Sequence, residues 1–193
     1  MEDLLFAAYG PTLTRCHNPD ISGSSASGRT GPCAEALVLS GVARVITAIE
    51  GAQLHLPRLR TRPQDFDPDT RERFMAGALL PGAWYVKAQR FRRQYRARVL
   101  KLFEEVDVIL APATPCTAPK LGQTMMTLGG VELPVRANLG VFTQPISFIG
   151  LPVAVAPLQR PGGPPIGVQL IAKPYNEQAA LRVAAHLQKL GVA

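Results

Sequence analysis

Two apolar runs, LPVAVAPL (151–158) and PIGVQLIAKP (165–174), constrain this chain more than any other feature. Each is short, β-rich and bounded by Pro or Gly. Neither alternates with polar residues as a strand with one wet face would, so both are expected to be central strands covered on both sides. The intervening Gly162-Gly163-Pro164 is turn-like and suits a hairpin. A third run, Val108 to Ala111 within DVILAPATPCTAP, meets prolines that can continue neither a ladder nor a helix, and a strand opening into a rigid loop is expected there.

Strands sheathed on both faces need helices to cover them, and the chain supplies helical periods. Leu37, Val38, Gly41, Val45, Ile49, Ala52 and Leu56 mark one face of a helix expected to end near Pro57, with Gly41 admitting a close neighbour. The exposed connection RPQDFDPDTRERF follows, in which Asp69 or Thr70 would cap a shorter helix running towards Leu80. After Pro81-Gly82 a long basic helix is expected, with Trp84, Ala88, Phe91, Tyr95, Val99, Leu102 and Val106 as its apolar stripe. Arg90, Arg93, Arg96 and Lys101 lie off that stripe. Asn176 suits the N-cap of a last helix presenting Ala180, Leu181, Ala184, Leu187 and Gln188. Gly10 to Pro32 has no apolar period and reads as loop. Helices first and strands later indicate a layered α/β architecture, with no internal repeat and no second domain boundary.

The 193 residues are 47% hydrophobic and 18% charged, enough for one globular domain or a large piece of a bigger one. No apolar run reaches the roughly 18 residues needed to span a bilayer, and the opening MEDLLFAAYGPTLTR carries acids where a signal peptide is basic, so a cytoplasmic protein without membrane contact is expected. Cys16, Cys33 and Cys116 form no CxxC pattern, and neither a disulfide framework nor a metal site is expected. The net charge of +7 is concentrated in RLRTR and in the segment Lys87 to Lys101, where it reads as a solvated helix face. A nucleic-acid partner would rest on that charge alone, since no nucleic-acid motif accompanies it.

The order of motifs carries a family resemblance. FTQPISFIGLPVAVAPL followed by PPIGVQLIAKPYNEQAALRVAAHLQ is similar to the C-terminal pattern of the amidase signature hydrolases, and DVILAPATP resembles the strand and loop before it. The resemblance covers roughly Ala34 to Val192 and is strongest to the branch that includes 1-carboxybiuret amidohydrolases. It implies the C-terminal part of a layered mixed-sheet amidase signature fold, with residues 33–193 forming that part and 1–32 a loop-rich altered remnant of the central catalytic region. It also implies hydrolysis of small amide C–N bonds by a serine nucleophile, a bridging serine held through a cis peptide bond and a lysine base, with no cofactor. A lysine can serve as base when desolvation lowers its pKa, and glycine-rich backbone N–H groups would stabilise the oxyanion.

In SGSSASG the bridging serine of the family corresponds to Ser24, with Ser22, Ala26 and Ser27 standing where the family has glycines. The family order is Lys, bridging Ser, nucleophilic Ser, but the first lysine here is Lys87 and no Asp-x-Gly-Gly-Ser follows Ser24. Ser40 and Ser147 lie in other settings. The expectation is therefore an amidase-family hydrolase represented by an incomplete chain, with a non-catalytic fragment or interaction module as the competing reading. An ordinary Gly/Ser loop competes for Ser24. By resemblance Phe142, Thr143, Gln144 and Pro145 form a substrate-side wall, with Trp84 or Tyr85 as further contributors. Cys116 with His55 or His186 would be an alternative nucleophile pair, and RPGGPPIG lacks the Lys-Ser/Thr of a phosphate loop. A small amide, a companion subunit or a second copy are the partners implied. A partial sheet would also leave unpaired edges and an uncovered face.

Overall fold

The computed structural model describes residues 14–15, 34–128 and 130–191. Strand β1 is Thr14–Arg15, followed by helices α1 (Ala34–Thr61), α2 (Pro68–Leu79) and α3 (Gly82–Leu102), with a single 3-10 turn at Pro63–Asp65. Strand β2 (Val108–Pro112), the hairpin β3 (Met125–Leu128) and β4 (Val131–Pro134), and short helices α4 (Val135–Asn138) and α5 (Gln144–Ile149) come next. Strands β5 (Val153–Arg160) and β6 (Gly163–Ala172) and helix α6 (Glu177–Lys189) complete the order. The main sheet runs β1-β2-β6-β5, and every pairing among the described residues is antiparallel.

Alternation of side chains across the strands divides the core in two. Ile109, Ala111 and Ile171 face a layer built from Leu39, Ala43 and Ile46 of α1, Ala88 and Val99 of α3, and Ile146, Phe148 and Ile149 of α5. Val108, Leu170, Ala172 and Ala156 face α6, where Ala179 and Ala180 are buried and Val183, Ala184 and Leu187 pack beside them. Helices thus lie on both faces of the sheet, the layering expected for the α/β class. The alanines on α6 let that helix approach the sheet closely, and Leu181 points away at 61% exposure, outside the stripe expected to hold it.

Several local expectations are corrected. Helix α1 runs through Pro57 instead of ending there. Its last turn is held by burial of Leu59, by His55 stacked on Phe74 and edge-on to Phe66, and by the Thr61 hydroxyl donating to the Pro57 carbonyl at 3.1 Å. Gly41 has no close neighbour among the described residues, none lying within 4 Å of where a Cβ would stand. The close approach is between α1 and α2 instead, where Gly51 faces the Phe74 ring and Gly77 faces the Ala48 backbone. Because α2 covers a second side of α1, Ala48, Ala52 and Leu59 are buried there, and the buried surface is wider than one stripe. The cap of α2 is Asp67, which accepts from the Thr70 amide at 3.1 Å with Pro68 in the first turn, rather than Asp69 or Thr70.

Helix α3 lies on the core as its period requires, except that Trp84 is 53% exposed and its neighbour Tyr85 packs inward. Asn176 occupies the N-cap position of α6 without a side-chain cap bond. The hairpin of β5 and β6 forms as expected, turning at Gly162 with φ 72°. Strand β6 is central, but β5 is the outer strand, with Val153 and Val155 exposed on its helix-layer face. That strand is not covered on both faces.

Candidate functional site

The site is a rim at the end of β2, and it depends on one buried amide. In β6 the apolar run is interrupted at Gln169, which is only 1% exposed and points to the same face as Ile171. A polar group buried so deeply must find partners. Its Nε2 donates to the Pro112 carbonyl at 2.8 Å and to the Phe142 carbonyl at 3.1 Å. One side chain thereby joins β6, the last residue of β2 and the turn before α5. The amide of Ala113 donates to the Gly167 carbonyl at 2.8 Å, extending the β2–β6 ladder one residue into the proline-rich loop.

The segment expected as a substrate-side wall is seated on this joint. Phe142 supplies the carbonyl that Gln169 holds. The Thr143 hydroxyl donates to the Gly140 carbonyl at 3.2 Å, and the Gln144 amide donates to the same carbonyl at 2.8 Å. Pro145 begins the buried side of α5 and is almost fully enclosed. The Oε1 of Gln144 is buried and has no hydrogen-bond partner among the described residues. The four residues are therefore brought together at one turn. Their position is fixed from behind by Arg96 of α3, whose Nε donates to the Ile149 carbonyl at 3.1 Å. Arg92, on the same helix, lies over the Phe148 ring.

The proline-rich loop follows β2 directly. The Thr114 hydroxyl donates to the Cys116 carbonyl at 2.7 Å, and the Cys116 thiol lies 3.6 Å from the Met126 thioether of β3. Neither His55, enclosed by phenylalanines, nor the exposed His186 is a partner of that thiol, so the Cys–His pair weighed from the sequence is not assembled. The structure adds a hairpin of β3 and β4 beyond the strands expected from the sequence, and the Gly129-Gly130 pair before Val131 is its sequence signal. A salt-bridge cluster anchors this part to the helical layer. Arg136 of α4 contacts Asp67 and Asp69, each at 2.8 Å. The hydrogen bond from Arg136, followed by that from the Thr70 amide, holds the Asp67 carboxyl below its ordinary value of 3.8.

Groups able to move protons are scarce here. Lys87, Lys101, Lys120, Lys173 and Lys189 are all exposed, so none is desolvated as a lysine base must be. The Ser147 hydroxyl donates within its own helix to the Thr143 carbonyl at 2.9 Å. Ser24 lies outside the described residues. In the sequence Gln169 stands within the family-like run PPIGVQLIAKP, and its polarity within an apolar strand is the signal that marks it.

A sheet layered between helices, with a turn pinned by a buried amide at the end of one strand, defines a layered α/β domain. The chain belongs to the amidase family, whose model matches residues 32–181. It is 52% identical over 152 residues to AtzE, the 1-carboxybiuret hydrolase subunit of Pseudomonas sp. (strain ADP), a match covering 77% of this chain and 33% of that protein. A glutamyl-tRNA(Gln) amidotransferase subunit from Roseiflexus castenholzii is 39% identical, covering 68% of this chain and 27% of its own length. A solved structure described as an unexpected vestigial protein complex that reveals the origins of an s-triazine catabolic enzyme superposes with a TM-score of 0.77. It is 49% identical and covers 83% of this chain and 35% of that one. The chain thus spans about a third or less of the length of these relatives.

Proposed function

We propose that this chain is the substrate-side, C-terminal portion of an amide C–N hydrolase whose substrate is a small urea-like amide of the carboxybiuret kind. Residues 33–193 form that portion, and residues 1–32 are an altered remnant of the catalytic region in which Ser24 is the bridging serine. The observation that carries the reading is the extent of the match to a 1-carboxybiuret hydrolase subunit, 52% identity over 152 residues and 77% of this chain. In such an enzyme a serine hydroxyl attacks the amide carbon while its proton passes through the bridging serine to a neutral lysine. The C–N bond then breaks as the amine takes up that proton, and water releases the acyl group. The described residues contribute the wall against which the amide lies. The buried Gln144 Oε1 is an acceptor suited to a substrate N–H, because a buried carbonyl left without a donor costs about 1–3 kcal/mol. A companion chain belongs to this reading, since the solved neighbour is described as a complex and both curated relatives are themselves subunits.

The test is a chimera. Residues 32–181, which the family model matches, replace the corresponding segment of the Pseudomonas protein, and cleavage of carboxybiuret is followed by release of the nitrogen product. Retained cleavage, with KM raised by Gln144→Leu, supports the proposal. A folded chimera that cleaves no small amide would make this chain a non-catalytic interaction module instead.

A further inference from the structure

We propose that the free edge of β5 is a self-association site, at which two copies of this chain pair antiparallel through Val153 and Val155 and join their sheets across a two-fold axis. In an antiparallel ladder, alternate residues of a strand direct their N–H and C=O groups to opposite sides. The Ala172 amide donates to the Pro152 carbonyl at 3.0 Å, and the register places Ala154 opposite Leu170 and Ala156 opposite Val168. The even-numbered residues of β5 therefore bond to β6. Val153, Val155 and Pro157 direct their backbone groups outward, where no described strand receives them.

This edge is self-complementary. With Val153 opposite the partner subunit's Val155, each of the two residues donates and accepts across the axis, giving a closed set of four bonds. Pro157, which has no N–H, falls just outside that set and limits the ladder, as proline does on managed edges. The segment Gly150 to Leu158 contains no charged residue, so two copies of a chain carrying +7 meet there without local repulsion. Val153 and Val155, 38% and 57% exposed, lie on one face and become a cross-strand pair on each side of the axis. A two-fold contact of this kind closes on itself and stops at two copies.

The experiment is sedimentation velocity of the 193-residue chain from about 1 to 100 μM, a range in which a small interface dissociates. It is read together with hydrogen exchange at the Val153 and Val155 amides. The expected result is a monomer–dimer equilibrium in which those two amides become protected as dimer forms. Val155→Pro removes only an outward donor, and Val155→Lys places charge on the edge; each is expected to weaken association at least tenfold while the circular dichroism is unchanged. Should Val155→Pro unfold the chain, the lysine variant decides. A monomer throughout the range, growth beyond two copies, or a dimer whose Val153 and Val155 amides exchange freely would each overturn the proposal. The outcome is independent of whether the chimera cleaves amides.

Discussion

Two glycines in helices of this chain have opposite expected responses to the same substitution, and the contrast measures how closely α1 and α2 pack. In an open helix interior, Gly→Ala stabilises by roughly 0.5–1 kcal/mol, because alanine restricts the unfolded chain and favours the helix. Gly41 is such a position, with nothing among the described residues within 4 Å of the added methyl. Gly77 is not. There the methyl would overlap the carbonyl oxygen and carbon of Ala48, which belong to the backbone of α1 and cannot rotate away as a side chain could. Overpacking of this sort costs about 1–3 kcal/mol, and a backbone obstacle puts the cost in the upper part of that range. Subtracting the propensity gain leaves Gly77→Ala destabilising by about 1–2 kcal/mol. Urea denaturation followed by circular dichroism reads both variants, with the midpoint rising for Gly41→Ala and falling for Gly77→Ala at unchanged slope. Ala48→Gly should not rescue Gly77→Ala, because the carbonyl remains. A midpoint that rises for both glycine variants would refute the close packing of the two helices.

Three further outcomes are expected. Gln169→Leu removes the side-chain donor that bridges the Pro112 and Phe142 carbonyls and ties β6 to both, which should cost about 1–3 kcal/mol in the same denaturation assay and speed amide exchange in the turn before α5. Pro57→Ala restores a donor inside α1 and should stabilise the chain by about 1–2 kcal/mol; no change in the midpoint would mean that the end of α1 is not helical in solution. Asp67 has a folded pKa below its ordinary 3.8, so its favourable contribution is present above that value and is lost as pH falls through the lowered one. Arg136→Met should therefore be less stable than the parent chain at neutral pH, and the difference should vanish in acid. A difference independent of pH would show that Arg136 acts by packing.

What the sequence reveals of this fold depends on where each residue finds its neighbours. Strand β6 is legible because both faces of its inner half are covered within the chain, by α1 and α5 on one side and α6 on the other. Strand β5 has the same apolar composition but lies at the sheet's edge, because a pattern of apolar residues records the burial a strand is suited to without naming what provides it. The glycines show the same gap. Gly41, Gly51 and Gly77 look alike in sequence, and only the crossing of α1 with α2 distinguishes the two that need a missing Cβ. Pro57 misleads because a tertiary lock on Leu59, Phe66 and Phe74 outweighs the lost backbone bond. The turn Phe142 to Pro145 is legible from motif order, since it follows the chain locally. Its support is not, because Gln169 reaches the Phe142 turn across 27 residues and Pro112 across 57. That geometry couples site and fold. The amide that closes the interior of the sheet also sets the position of the Phe142 turn, so a substitution there should move that turn and weaken the core together, whereas a change confined to Gln144, on the proposed function, should alter KM and leave the core intact.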